Sequence, residues 1–395
     1  MRIVGVMSGT SYDGIEVAVG EFRPDGDVLV MTPLGELSVG YGSGLRNRIA
    51  GVLPPNRVTI EQVCVLDTLL GQAFGAAARR AVDEIAGGRV DLVVSHGQTV
   101  FHWVEDRRAR GTLQLGAPAW LASAVGVPVL SDLRTADIAT GGQGAPLVPM
   151  FDALVLGGDR PRVALNLGGI ANVTVVGPGR APIGYDVGPA NALIDAAALR
   201  WYGEPFDAGG RHAAAGRVDE RLLAVLLAEP YYAAPPPKST GKELFTLQYL
   251  EEAIRRSGAT PGPDEVLATV TELTARTVAA ACATHGVEEV VASGGGVRNP
   301  ELMRRLAARV PRLTTSADLG VPPQAKEAYA FALLGWLSWH GLPGALPSVT
   351  GAAEAAVLGS ITLGREARRN PPGRLKVGSQ DVGGRSTDTL GGHER

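Results

Sequence analysis

The sequence predicts an α/β protein built as two related halves around a cleft, and three observations predict it. A strand–glycine turn–strand unit opens the chain at residues 2–19, and the same organisation restarts at residues 162–176. Short β-branched runs alternate with long apolar patterns of helical period along the chain. The length, 395 residues, exceeds what one hydrophobic core ordinarily holds. The expected division is a first unit of residues 1–130 completed by 350–364, a second unit of residues 131–349, and a disordered tail of residues 365–395.

The opening unit reads as a strand at 2–7 (RIVGVM), a turn of small residues at 8–14 (SGTSYDG) and a returning strand from Ile15. The turn offers the backbone N–H groups of Gly9, Thr10 and Ser11, two hydroxyls and the Asp13 carboxylate. Gly9 and Gly14 carry no Cβ, so phosphate oxygens can approach the backbone closely. Asp13 is a hard oxygen ligand suited to magnesium beside those phosphates. An ordinary surface turn closed by an Asx bond would use the same residues.

A strand follows at 28–37, then a helix at 60–85 with Val63, Leu66, Leu70, Phe74, Ala77 and Ala81 at helical spacing. The buried strand 90–95 ends in His96-Gly97-Gln98-Thr99. Polar groups just past the C-terminal end of a strand are where open α/β sheets bind ligands. A short strand at 113–116, a helix at 118–125 stopped by Gly126 and a strand at 127–130 come next. The strand runs into SDLRTAD and then GGQGAP at 141–146, too glycine-rich for a regular element and too polar for a core, hence a functional loop at the junction of the units.

The second unit opens with a strand at 162–167 (RVALNL), the turn Gly168-Gly169-Ile170-Ala171-Asn172 and a strand at 173–176. GYDVGPAN (184–191) leads into a helix at 192–202, residues 206–218 form a loop before a helix around 222–227, and PPPKSTGKELF (235–245) is a rigid turn that starts a further helix. A helix at 266–285 and a strand at 287–292 end in Gly294-Gly295-Gly296. Asn299 caps the next helix, with Pro300 at its first position. An apolar helix at 326–340 is opened by Glu327, and residues 347–363 close the fold.

Composition narrows the function. A net charge of −3 leaves no broad basic footprint for nucleic acid. The two cysteines, Cys64 and Cys282, are too few for a disulfide framework and read as small buried helix residues in a reducing compartment. Without an uninterrupted apolar run of about 18 residues, and with a core strand where a leader would stand, a cytoplasmic chain with no membrane partner is expected. The remaining histidines show no zinc-ligand spacing.

Three glycine-rich turns each follow an apolar strand, yet none is a GxxxxGK[ST] phosphate loop and none is a GxGxxG dinucleotide turn. This combination resembles the actin-like ATPase superfamily of sugar kinases, Hsp70 and actin, with its duplicated fold and interdomain cleft. A finer resemblance follows from MSGTSYDGIE, SHGQTVFH, DLRTADIATGGQGAPLVP, NLGGIANVT, YDVGPANALID, PPKSTGKELF, SGGGVRNPELM and LPSVTGA, which occur in that order. Together they resemble the anhydro-N-acetylmuramic acid kinases over residues 1–364.

The resemblance implies an ATP- and magnesium-dependent kinase that opens the 1,6-anhydro ring of its sugar with water and phosphorylates O6, in cell-wall recycling. It implies Asp186 as general base, Gly9, Thr10, Ser11, Asp13 and Gly14 at the first phosphate turn, and Gly168, Gly169 and Asn172 at the second. It further implies Gly294, Gly295 and Gly296 beside adenosine, His96, Arg134 and Glu327 at the sugar, and a homodimer. Four positions depart from the usual family pattern: Tyr12 for Leu, Glu16 for Asp, Tyr185 for Phe and Ala190 for Gly. None removes a reactive group, although Glu16 reaches one methylene further. Lys238 in the PKSTG turn fits an ATP contact or a loop-ordering role. Against this stand a kinase of an ordinary amino sugar, which needs no activated water, and an actin- or Hsp70-type ATPase indifferent to sugar. A nicotinamide-linked oxidoreductase lacks its glycine motif here.

Overall fold

The computed structural model describes residues 1–241 and 243–374. From the N-terminus it forms β1 (Arg2–Met7), β2 (Gly14–Asp25), β3 (Val28–Gly40), α1 (Ser43–Val52), α2 (Ile60–Glu84), β4 (Leu92–Ser95), β5 (Gln98–Glu105), β6 (Arg108–Leu115), α3 (Pro118–Val125), β7 (Val129–Ser131), α4 (Thr135–Ala139) and α5 (Pro149–Leu156). It continues with β8 (Arg162–Leu167), β9 (Ile170–Val176), β10 (Ile183–Pro189), α6 (Asn191–Tyr202), α7 (Arg211–Ala215), α8 (Glu220–Leu227), α9 (Pro230–Ala233), α10 (Leu247–Ser257), α11 (Pro263–Thr284), β11 (Glu289–Ser293), α12 (Pro300–Ala307), β12 (Leu313–Thr315), α13 (Lys326–Trp339), α14 (Pro347–Thr350) and β13 (Ser360–Thr362).

Two sheets carry the duplication. The first has the order β13-β7-β4-β1-β2-β3 and the second β10-β9-β8-β11-β12. Each begins as an antiparallel meander of three strands, and the first strand of each meander then pairs in parallel with a strand from much later in its half: β1 with β4, β8 with β11. The repeat read from the glycine turns is therefore a repeat of topology. Local signals set the helix limits. A Thr59–Gln62 capping box starts α2, left-handed Gly126 stops α3, and the Asn299 side chain accepts from Leu302 N ahead of Pro300.

Several stretches differ from the sequence reading. Residues 43–52 and 135–139, given no element by the sequence reading, are helical, residues 98–105 form a strand paired with β6, and a short helix lies at 211–215, inside the segment read as a loop. Cys282 is buried as expected, but Cys64 is exposed on α2. Of the expected tail, Arg365–Ala367 forms a 3₁₀ turn whose Glu366 N–H donates to the Gly126 carbonyl, and residues 375–395 lie outside the described residues. Among the described residues one helix, α11, is long and apolar enough to cross a membrane, and 72% of its most apolar window is buried inside the protein.

α13 falls in the stretch assigned by sequence to the second unit, and it packs on β1, β2 and β4 of the first sheet. Gly5 permits this approach: a Cβ there would stand 2.0 Å from the Ala328 carbonyl oxygen. At the first residue of α13, Lys326 Nζ bonds Asp152 Oδ1 of α5 at 2.9 Å, and Thr174 of β9 donates to Asp152 Oδ2 at 2.9 Å. Both charged side chains are buried. The pair thus joins a helix of the first sheet to elements of the second. Lys326→Met strands the Asp152 carboxylate and should lower the unfolding free energy by about 3–5 kcal/mol in a urea titration. A loss under about 1 kcal/mol would reduce the pair to the worth of an exposed one.

Candidate functional site

The first glycine turn is shaped by side chains from other motifs. Tyr41 Oη donates to Ser8 Oγ (2.8 Å), Ser8 Oγ donates to Gln98 Oε1 (2.6 Å), and Gln98 Nε2 donates to the Gly9 carbonyl (3.2 Å). Gln98 is fully buried, so this relay fixes the Ser8–Gly9 backbone to the start of β5. Gly9, Thr10 and Ser11 sit at the tip, and Tyr12 holds a positive φ of 43°. Asp13 is largely exposed and accepts from Arg46 of α1 at 3.1 Å. The Arg46 guanidinium lies 5.8 Å from the Tyr12 ring centroid. No set of three or more His, Cys, Asp or Glu ligands occurs among the described residues. A magnesium ion at Asp13 would therefore take one carboxylate, with waters and phosphate oxygens completing it, which is the usual magnesium arrangement at phosphates.

The second and third turns pack together. Asn191 Nδ2 donates to the Leu167 and Gly168 carbonyls at 3.1 and 2.8 Å, and the Ala190 and Ala192 N–H groups donate to the Gly169 carbonyl. Gly294 adopts φ 84°, and a Cβ there would stand 2.6 Å from Asn166 Oδ1. At Gly296 a Cβ would stand 2.6 Å from Leu167 Cβ, whereas Gly295 is open. Bare glycine backbone is what brings the 294–296 turn against Asn166 and Leu167 at the end of β8, where the 168–172 turn begins.

Asp186 lies on β10 directly across from Asn172 of β9, where the register shifts. Its Oδ2 accepts from Ser239 Oγ at 2.9 Å and from Thr240 N at 3.0 Å, and its carbonyl accepts from Tyr231 Oη at 2.7 Å. Oδ1 accepts no hydrogen bond among the described residues. Burial raises the Asp186 pKa above the usual value for Asp, against the lowering pull of those two donors. Lys238 Nζ donates to the Tyr231 and Tyr232 carbonyls at 3.1 Å and lies 4.7 Å from the Tyr231 ring centroid. That bonding is the loop-ordering alternative for this lysine.

A second cluster gathers on the first sheet. Buried His96 donates from Nδ1 to the Gly97 carbonyl (2.7 Å) and accepts at Nε2 from Arg134 at 2.8 and 3.1 Å. Burial and the adjacent guanidinium hold its pKa down at about 3. Burial brings Arg134 down to about 10 against the pull of Glu327 and Asp137. Arg134 also donates to the Gly144 carbonyl at 2.7 Å. Fully buried Asp137 ties the 141–146 loop in place, accepting from Gly144 N and from Thr350 Oγ1. Burial raises Glu327. Glu16, on β2, rises to about 7 through burial and the Glu327 charge, offset by Arg298. Arg298 closes the turn of the third glycine motif, so charge from the second sheet reaches β2.

The structure thus brings His96, Arg134, Glu327 and Glu16 together, and separately joins Asp186 to the second glycine turn. Sequence reasoning missed Arg46, Ser239, Thr240, Asp137, Gln98 and Arg298 as contributors. All but Arg46 lie within or beside motifs already singled out.

Anion-suited glycine turns, a buried carboxylate beside the second of them and a duplicated α/β frame define a phosphotransferase of the sugar kinase class. The family model for anhydro-N-acetylmuramic acid kinase matches residues 1–364. Relatives so named are 58% identical in Streptomyces coelicolor (94% of this chain, 96% of that one) and 54% in Rhodococcus erythropolis (92% and 94%). The relative in Bordetella pertussis is 43% identical (91% and 95%). A ROK family glucokinase from Streptomyces griseus, solved with glucose and AMPPNP, matches with a TM-score of 0.36 and 12% identity over 84% of this chain and 98% of that one; the fold assignment rests instead on the two sheet orders. The chain belongs to the anhydro-N-acetylmuramic acid kinase family. It is an enzyme, a kinase using ATP on a small-molecule sugar.

The neutral His96 has a consequence for stability. The unfolded chain takes up a proton as pH falls through 6.5, while the folded imidazole stays neutral to about 3. Stability is therefore lost on acidification across that window, by up to ~1.4 kcal/mol per pH unit. The stability difference between wild type and His96→Gln should shift against wild type as pH drops through this range in parallel denaturant titrations. A difference that stays constant with pH would mean that His96 titrates normally in the folded protein.

Proposed function

We propose that the chain opens the 1,6-anhydro ring of anhydro-N-acetylmuramic acid with water and phosphorylates O6 with ATP, giving N-acetylmuramic acid 6-phosphate and ADP for cell-wall recycling. The supporting observation is Asp186, a carboxylate held through Oδ2 whose Oδ1 accepts no hydrogen bond among the described residues. Oδ1 takes a proton from water as the water oxygen bonds the anomeric carbon and the C1–O6 bond breaks. The freed O6 attacks the γ-phosphorus in line, and ADP leaves. Such a transfer rests on positioning and charge neutralisation.

In this reading Gly9, Thr10, Ser11 and Gly14 hold one side of the phosphates, with Gly168, Gly169 and Asn172 on the other. Gly294, Gly295 and Gly296 lie along adenosine, and His96, Arg134 and Glu327 bind the sugar. Magnesium, held by Asp13, would neutralise phosphate charge. The two sheets with their helices act as two lobes, residues 1–130 with 350–364 and residues 131–349, with α13 carried on the first. Their closure unites the Asp186 and His96 clusters. The enzyme works in the cytoplasm as a homodimer.

Asp186→Asn should abolish turnover while nucleotide and sugar still bind by calorimetry; an unchanged rate would sink the base assignment. In ¹⁸O water the wild type should place label at C1 of a reducing 6-phosphosugar. ATP turnover indifferent to the sugar would favour the actin-type reading, and turnover on ordinary N-acetylated sugars alone would overturn the ring-opening role.

The acid limb of the kcat/KM–pH profile should lie above the usual Asp value of about 3.9, because the raised carboxyl protonates early as pH falls. Ser239→Ala removes a donor to the charged form and should move that limb further up. A limb that stays put in the variant would dissociate Ser239 from the titrating group.

A further inference from the structure

β10 is the outer strand of the second sheet and pairs with β9 alone among the described residues. One edge of its backbone therefore has no strand to bond. At Asp186 that edge is closed from elsewhere: the Asp186 N–H donates to the Lys238 carbonyl at 3.2 Å, and the Asp186 carbonyl accepts from Tyr231 Oη at 2.7 Å. The strand also slips register just past this residue. Asp186 stands across from Asn172 and Gly188 across from Ala171, which leaves Val187 as the extra residue of a bulge. A bulge re-aims the side chains beside it, and an open edge does nothing to hold that aim. The direction of the Asp186 side chain is thus set from outside the sheet.

The support is α9 and the loop that follows it. Lys238 Nζ donates to the Tyr231 and Tyr232 carbonyls, both at 3.1 Å. Three bonds then close a circuit: Asp186 N–H to the Lys238 carbonyl, Lys238 Nζ to the Tyr231 carbonyl, and Tyr231 Oη to the Asp186 carbonyl. Ser239 and Thr240, the next residues of the same loop, hold Oδ2, so one unit grips both the carboxylate and its backbone. Aromatic packing seats that unit. A Cβ at Gly188 would stand 2.7 Å from Tyr232 Cε1, so the bulge lies directly under the Tyr232 ring. Tyr232 stacks on buried Phe245 at 6.1 Å between centroids, and Tyr231 meets Phe245 edge-on at 6.3 Å.

We propose that Tyr231 is a positioning residue for the reaction, and that with Lys238 it sets the direction in which Asp186 presents its carboxylate. The inference rests on the reading of Asp186 as the base. Tyr231 acts through the Asp186 main chain and not on the sugar or the nucleotide. Its hydroxyl brings no charge to the site, and its removal leaves Ser239 and Thr240 in place on Oδ2. One neutral, half-buried hydrogen bond adds little to folding. A base displaced by ~1 Å, in contrast, can cost on the order of 10²-fold in rate. Catalysis therefore registers the loss of this hydroxyl more strongly than stability does.

The test is steady-state kinetics of the full chain with anhydro-N-acetylmuramic acid and ATP, together with thermal melting, for Tyr231→Phe, Lys238→Met, the double variant and Asp186→Asn. Tyr231→Phe keeps the ring and should lower kcat about tenfold, with both KM values and Tm close to wild type. Lys238→Met keeps the stem and should do the same. The double variant should fall no further than the slower single variant, because either loss opens the same circuit. A wild-type kcat in Tyr231→Phe beside an inactive Asp186→Asn would overturn the proposal and leave the base standing. An active Asp186→Asn would overturn the base, and the proposal with it. Losses that multiply in the double variant, or a raised KM for ATP in Lys238→Met, would overturn the circuit. A fall in kcat that comes with raised KM values and a lowered Tm would reduce Tyr231 to packing and overturn its positioning role.

Discussion

An ionised carboxylate is not buried alone, and Asp152 is buried between α13 and β9. Lys326 and Thr174 satisfy it from opposite sides. That requirement fixes the first turn of α13 to the second sheet, while Gly5 lets the rest of the helix lie against the first. Glu327 is the next residue along. Its carboxylate, which acts on both Arg134 and Glu16, is therefore placed by an ion pair that spans the two halves. The cluster of His96, Arg134 and Glu327 is built at the crossing point of the fold.

The same cluster keeps its charge low. Arg134 is desolvated, and its partner His96 is kept neutral by burial and by the guanidinium on Nε2, with the Gly97 carbonyl on Nδ1 setting the tautomer. Glu327 and Asp137 supply negative charge toward Arg134, and Glu327 also raises the cost of ionising Glu16. Glu16, raised to about 7 by burial and the Glu327 charge, is set to change charge near neutral pH. The longer reach of Glu over Asp at this position thus bears on electrostatics, through burial beside Glu327 and facing Arg298.

What was legible in the sequence follows from how local each signal is. The hairpins, α2, α3 and α12 announce themselves through alternation, helical period and caps within a few residues. α1 does not: SGLRNRIAGV has two glycines, no acid in its first turn and Gly42 at its cap without a side-chain bond. β5 alternates poorly because most of QTVFHWVE faces outward. Cys64 follows Val63 by 100° around α2, which carries it off the stripe of Leu66, Leu70 and Phe74 that meets the core. At the site, residue identity was legible from motifs, but partnership was not. Ser239 and Thr240 reach Asp186 from more than fifty residues away, and Arg46 reaches Asp13 from a helix that leaves no local sign of itself.

The competing readings of the site part at Asp186. Phosphorylation of a free hydroxyl requires in-line placement and charge neutralisation, which the glycine turns and their neighbours supply. A carboxylate raised by burial adds nothing essential to that step, yet it suits proton removal from water, where a base held near its working pH is most effective. The PKSTG loop spends two donors on one oxygen of that carboxylate, and the other accepts no hydrogen bond among the described residues. Those donors favour the charged form, and burial outweighs them. A residue whose only task was to stabilise the turn would gain from full satisfaction of both oxygens. A buried carboxylate set across from Asn172 at a register shift of β10 supports the proposal of ring opening over that of simple sugar phosphorylation.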